Sequence, residues 1–343
     1  MPVITKPNLH FNPVLYAGNG GTQTVSGVGF QPDLTWIKSR GSGNNNCLVD
    51  SIRGAGYVLY SDSTSSESNL TSYFTGFNSD GFSFALGGGA FNAAYNYVSW
   101  NWKAASANTT NTDGSITSTV RVNQTAGFSI VSYASGSAGQ KTVGHGLGVT
   151  PSMIITKSRD NASYNWAIYH SSVIDTTSKF LRFTTDAIVT SSTIWGAALP
   201  TSTVFGITSD NGVPANNNCI AYCFAPVAGY SAFGSYTGNG STDGPFVYTG
   251  FKPKYWLIKR TDSTGYWVTD NGSSSPYNPT SKYLLPDQAD GEGDTGSNTA
   301  GQLMDVLSNG FKIRNTNSDR NTNGATFIYM AFAESPFKFS NAR

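Results

Sequence analysis

The feature that most constrains this chain of 343 residues is a recurrence too long for a solenoid and too regular for chance. Tyr16-Ala-Gly18-Asn19-Gly20-Gly-Thr22 matches Tyr236-Thr-Gly238-Asn239-Gly240-Ser-Thr242, and Tyr133-Ala-Ser-Gly136 is a looser copy. Pro32, Pro151 and Pro253 follow Tyr16, Tyr133 and Tyr236 by 16, 18 and 17 residues. Each proline stands six residues before a lysine that closes an apolar run: Leu34-Thr-Trp36-Ile37-Lys38, Met153-Ile-Ile-Thr-Lys157 and Tyr255-Trp256-Leu257-Ile258-Lys259. The copies also end alike, in Val98-Ser-Trp100-Asn-Trp102, Ile220-Ala-Tyr222-Cys-Phe224 and Ile328-Tyr-Met330-Ala-Phe332. The closing aromatics lie 122 (224 minus 102) and 108 (332 minus 224) residues apart, whereas solenoid units run roughly 20 to 50 residues. Three domain-sized units in tandem satisfy that period.

Each unit reads as strands. Only three glutamates occur (Glu67, Glu292, Glu334) while glycine contributes 38 residues, so helix propensity is poor in every window. Aromatics make up 13 % of the chain, enough core-forming material to collapse and well suited to strands. In the closing strand Val98, Trp100 and Trp102 alternate with Ser99, Asn101 and Lys103, the period-two pattern of one buried face. The expected fold is all-β: three tandem β-sandwich or jelly-roll-like units, with packing around a pseudo-threefold axis as one arrangement open to them. Hairpins are expected at the Gly-Asn-Gly turns, where Asn and Gly supply positive φ. The expected limits are an N-terminal arm at 1–13, where Pro2, Pro7 and Pro13 limit regular structure, then repeats at 14–105, 128–228 and 229–343, with a linker at 106–127.

Charge narrows the partners. Lys and Arg number 21 against 20 Asp and Glu, a net charge of +1, which leaves no basic surface for nucleic acid or anionic membrane. No apolar run reaches the roughly 18 residues of a membrane span, and residues 1–30 lack the basic start and apolar stretch of a signal peptide. A soluble chain is expected, reaching any exterior by a route other than classical secretion. Cys47, Cys219 and Cys223 are expected free, buried and inert: Cys219 and Cys223 stand four apart on one strand, roughly 13 Å, too far to bridge. His10, His145 and His170 cluster neither with each other nor with the thiols, so no metal and no cofactor is expected.

Few residues offer chemistry. The aspartates are scattered and many sit in turns, which gives no facing pair of carboxylates for glycoside hydrolysis. No Gly-x-Ser-x-Gly elbow is present, and His145 lies in a Gly-rich turn. The acidic loop Asp287 to Asp294 is either a solvated loop or a calcium site without EF-hand spacing. The recurring basic pairs Lys38 with Arg40, Lys157 with Arg159 and Lys259 with Arg260 are the leading candidates for contact with an acidic glycan or a neighbouring subunit, repeated three times for avidity. Against that stands a plain role as caps of exposed strand ends, with their stems over apolar surface. Trp166 beside Tyr164 and Trp267 beside Tyr266 are the next candidates, as a sugar-stacking surface at loop tips, weighed against simple packing in a hairpin.

The strings Gly29-Phe-Gln-Pro-Asp-Leu-Thr-Trp-Ile-Lys38, Val49-Asp-Ser-Ile-Arg-Gly54, Ser79-Asp-Gly-Phe82, Val143-Gly-His-Gly-Leu-Gly-Val-Thr-Pro151 and Phe337-Lys-Phe-Ser-Asn-Ala-Arg343 resemble a repeat family of tailed bacteriophages. That family is common in marine phages, sometimes beside lectin-like SPRY domains in tail proteins. It usually reads hLLFDTVRGA at the second motif; Cys47-Leu-Val-Asp-Ser-Ile-Arg-Gly-Ala55 keeps Asp50 and Arg53 while its neighbours differ. The resemblance implies a non-enzymatic, lectin-like virion protein and carries no catalytic or binding residues to transfer. The expectation is a structural protein of a tail fibre or appendage that contacts the host surface, assembled in the host cytoplasm and released by lysis. Its expected partners are other virion proteins and a host surface glycan, with no nucleic acid and no membrane, as a homo-oligomer in the particle. A decoration protein on the phage head is the alternative, and a polysaccharide depolymerase the third. No heptad or Gly-x-y shaft is present, which argues against a complete self-trimerising fibre.

Overall fold

A computed structural model of the chain describes residues 3–41, 43–191, 193–209, 212–269, 278–294 and 304–334. Apart from a 3-10 turn at Pro7–Leu9 and one helical turn at Ser318–Asn321, the regular structure of the described residues is β-strand, paired antiparallel. Each repeat builds one large sheet around four equivalent strands. These are an opening strand (Phe11–Ala17, Phe128–Ala134, Ser231–Thr237), a lysine strand (Leu34–Ser39, Met153–Ser158, Pro253–Arg260), its hairpin partner (Cys47–Asp50, Ala167–His170, Trp267–Thr269) and a closing strand (Asn96–Trp102, Asn218–Phe224, Thr326–Ala333). In space the order is opening, closing, lysine, partner in all three repeats. Register agrees residue for residue: Tyr16, Tyr133 and Tyr236 stand opposite Tyr97, Cys219 and Phe327, and Leu34, Met153 and Tyr255 opposite Trp102, Phe224 and Phe332.

A smaller sheet covers the outer face of each large one: Gln23–Val25 with Gly81–Phe84 and Phe74–Asn78, then Lys141–Gly144 with Val204–Ile207, then Phe246–Tyr248 with Gly310–Ile313 and Met304–Leu307. Each sandwich has its own apolar filling, with Phe74, Phe82 and Phe84 in the first, Trp195 and Phe205 in the second and Phe311 and Phe327 in the third. The three cysteines are free and buried, as their spacing implied.

The inner faces of the large sheets meet each other. Val98, Trp100 and Trp102, Ile220, Tyr222 and Phe224, and Ile328, Met330 and Phe332 all belong to one central core shared by the three repeats. The pseudo-threefold arrangement is therefore the one adopted. Trp102 lies within 4.9 to 6.4 Å, ring centroid to centroid, of Phe11, of Phe128 and Phe224 in the second repeat and of Tyr255 and Phe332 in the third. The closing strand is thus buried on both faces, where one was expected. In the first repeat its second face is polar but dry: Asn101 takes a hydrogen bond from Thr35 Oγ1 at 3.0 Å and gives one to Asn12 O at 3.0 Å.

Three local expectations change. The Gly-Asn-Gly turns are not hairpins; they carry the chain from the large sheet to the small one, held by a buried asparagine that meets the turn amide, Asn92 Oδ1 with Asn19 N at 3.1 Å and Asn321 Oδ1 with Asn239 N at 2.8 Å. A Cβ on Gly18 or Gly238 would fall 2.1 or 2.2 Å from the carbonyl oxygen of Ala93 or Thr322, so only glycine fits there. The segment 106–127 is more than a linker, because Thr109–Asn111 and Ser118–Asn123 extend the second large sheet beside its opening strand. The described part of 1–13 is no free arm: Ile4 and Phe11 are buried in the central core, and Pro13 sits on an edge strand, where a missing N–H is tolerated.

Because Trp102 touches rings from both other repeats, Trp102→Ala should cost about 3 to 5 kcal/mol. Equilibrium urea unfolding should show that loss as a single shifted transition, not as the melting of the first repeat alone.

Candidate functional site

The lysines and tryptophans singled out above do not face solvent, and Arg40, Arg159 and Arg260 are half-buried. Along each lysine strand the alternation that aims Leu34 and Trp36, Met153 and Ile155, or Tyr255 and Leu257 into the central core also aims the lysine there. Lys38, Lys157 and Lys259 are accordingly buried at one end of that core, so neither a glycan-facing surface nor a cap on an exposed strand end describes them. Burial pushes each ammonium down, to about 8. Their protons go to carbonyls. Lys38 Nζ donates to Gln288 O of the third repeat at 2.9 Å, Lys157 Nζ to Thr64 O of the first at 2.7 Å, and Lys259 Nζ to Gly265 O.

Hairpin register makes Asn46, Trp166 and Trp267 equivalent, each one residue before the position paired with Ile37, Thr156 or Ile258. All three are buried, so Trp166 and Trp267 are not sugar platforms, although Tyr266 stays exposed. Each sends a side-chain N–H to a carbonyl of the preceding repeat: Trp166 Nε1 to Tyr60 O at 2.8 Å, Trp267 Nε1 to Arg182 O at 2.7 Å, and Asn46 Nδ2 to Pro286 O at 3.0 Å.

A backbone bond marks the same three seams. The amides of Glu67, Ile188 and Glu292 donate to the carbonyls of Arg159, Thr261 and Arg40 at 2.7, 2.9 and 2.8 Å. The first repeat docks on the second, the second on the third and the third back on the first, which closes a ring. Two seams add an ion pair, Arg159 with Glu67 at 2.7 Å and Arg40 with Glu292 at 2.5 Å. The seam between repeats two and three has Thr261 and Ile188 instead, with a cleft of about 340 Å³ beside them; Arg260 turns to Asp262 of its own repeat.

Asp50 and Arg53 belong to the same system. The Asp50 carboxylate accepts from the amides of Ile52 and Arg53, from Arg53 Nε and from the Tyr222 hydroxyl of the second repeat. Arg53, wholly buried, also bonds Glu67 at 3.0 Å. His170 stands at the position equivalent to Asp50 and reaches the third repeat through Nε2, 3.2 Å from Tyr329 O, while Nδ1 accepts from Ser172 N. His145 is satisfied by Leu147 N within its turn and by Thr201 O, 56 residues away in the same repeat.

The acidic loop is a seam element, not a solvated loop, in its described part. Glu292 binds Arg40 and, at 3.5 Å, Lys282, and Asp287 is buried. Asp287 is equivalent to Asp62 and Phe183, each five residues before the docking amide, and the next residues are Gln288, Ser63 and Thr184. These six line one recess of about 570 Å³, which therefore lies on the axis of the ring. Lys38 lies close enough to Asp62 and Asp287 to feel both charges, and Lys259 close enough to feel Asp287. Burial raises the carboxyl of Asp62 and lifts that of Asp287 to about 7. Among the described residues neither carboxylate oxygen of Asp287 meets a donor at hydrogen-bonding geometry, although the Trp267 amide and the Lys259 ammonium both favour its charged form.

Among the described residues no group of three or more His, Cys, Asp or Glu side chains is placed to hold a metal ion, and no helix is long and apolar enough to cross a membrane. Sequence reasoning missed Glu67 and Asp62, and it singled out Asp287 and Glu292 only as part of an acidic loop, not as seam residues. Two of only three glutamates in the chain stand at equivalent positions, and that scarcity was the available signal.

Fold and seams together define an all-β protein of three sandwich repeats closed into a ring within one chain. The chain belongs to the family described as Domain of unknown function (DUF7483), whose model matches residues 6–336. Neither comparison with curated proteins nor comparison with solved structures gives a match.

Two outcomes test the seams. Glu67→Ala deprives buried Arg53 of one partner and Arg159 of its ion pair, and should cost on the order of 3 kcal/mol in chemical unfolding. Burial holds His170 near 4, while the unfolded chain protonates near 6.5. Between those values the unfolded state binds more protons, so stability falls as pH drops through that window, by about 3 kcal/mol at its foot. Unfolding free energies of His170→Gln at pH 7 and pH 4.5 should show that part of the acid sensitivity gone.

Proposed function

We propose that this chain is a non-enzymatic structural protein of a bacteriophage particle, carried in a tail fibre or other appendage that contacts the host surface. The observation that supports this most is the ring. Three repeats in one chain, docked through the same backbone bond, make a trimer-like ring whose recurring lysines and hairpin tryptophans are spent on internal contacts. A unit of that kind is a rigid body with near-threefold faces, suited to stacking on a trimeric shaft by symmetry matching. The motifs that resemble phage tail proteins supply the setting. Other virion proteins are the partners this reading requires.

The same near-threefold face favours a second reading, a decoration protein at a threefold site on the phage head. Immunogold labelling of intact virions with antibody against the purified chain separates the two, paired with binding of that chain to host cells. Gold on the tail with saturable cell binding is the expected result. Gold spread over the head without cell binding would replace the appendage reading with the decoration one.

A further inference from the structure

We propose that the recess on the ring axis is a binding site for a neutral saccharide of one or two sugar units. Its volume, about 570 Å³, falls within the range of small-molecule sites. Its lining is made of groups that exchange hydrogen bonds with hydroxyls: the carboxylates of Asp62 and Asp287, the hydroxyls of Ser63 and Thr184 and the amide of Gln288, with Phe183 as the apolar element. Asp287 is 4 % exposed, and among the described residues neither of its oxygens meets a donor at hydrogen-bonding geometry, which leaves acceptor capacity in the wall of the recess. A buried carboxylate left without donors is costly, and a ligand hydroxyl would supply one.

Charge selects the class of sugar. Lys38 and Lys259 lie close to these carboxylates and repel a metal cation, while the carboxylates themselves repel phosphate, sulfate or an acidic sugar. A ligand with many hydroxyls and no net charge meets neither barrier. Contributions from all three repeats mean that the site exists only in the closed ring. The inference gives the host-contact reading a location and a ligand class and rests on it for its biological meaning, yet it is tested independently of where the particle carries the protein.

The probes are glucose, galactose, mannose, N-acetylglucosamine and maltose, added to the full chain and followed by saturation-transfer NMR and titration calorimetry. Saturable binding of at least one is expected, weakened about tenfold or more in Asp287→Asn and lost in Thr184→Trp, which fills the recess from its rim without removing a buried charge. Unfolding midpoints show that the variants are folded, and Thr184→Trp decides the matter if Asp287→Asn is not. No saturable binding to any of the five, or binding unchanged in Thr184→Trp, overturns the site. Release of glucose from maltose would overturn it as a binding site in favour of hydrolysis. Gold on the head would leave the sugar result standing, and a failed sugar panel would leave the particle location standing.

Discussion

Closing strands buried on both faces are the constraint from which the architecture follows. A sheet built around Trp100 and Trp102, or Tyr222 and Phe224, or Met330 and Phe332, needs a cover on each side. The small sheet of the same repeat supplies the outer one. The inner one can come only from other repeats, since a lone sandwich would leave a broad aromatic face in water. Three such faces turned toward one another satisfy the requirement at once, and the ring is the arrangement in which none is left over.

Burial of charge follows from that geometry. Period two carries each lysine strand into the core and leaves its last inward residue, Lys38, Lys157 or Lys259, at the core's end, where carbonyls meet it, from a neighbouring repeat for Lys38 and Lys157 and from its own repeat for Lys259. Water is largely excluded there, so the buried ammonium groups are matched by carbonyls of the protein. The seams are the places where that matching is done. Misalignment of one repeat would strand an ammonium or a guanidinium, which makes register between repeats as strictly specified as register within a sheet.

Much of the fold was legible because it rests on period. Strand alternation and the recurrence of tyrosine, proline, lysine and closing aromatic located equivalent strands that pair in equivalent registers. What the residues could not reveal was which side of each strand met another repeat. A lysine ending an apolar strand reads as a surface residue because lysine is almost never fully buried without partners, and the partners here lie some 93 and 250 positions away in the chain. Trp166 was misread for the same reason, its acceptor being 106 residues distant. The acidic loop looked solvated because its partner Arg40 is 252 residues off. These three errors concerned contacts between repeats, whereas the missed strands at 106–127 and the turns that are not hairpins are departures within a repeat.

Fusion of three like units into one chain also lifts a restriction that binds true trimers. In a homotrimer every group near the axis appears three times, so an unsymmetrical guest has three equal poses and no preferred one. Here the axial positions read Asp62, Phe183 and Asp287, two acids and a ring. That departure, repeated at the next positions as Ser63, Thr184 and Gln288, removes the degeneracy: a guest entering along the axis would meet a wall with distinguishable sides and one preferred orientation.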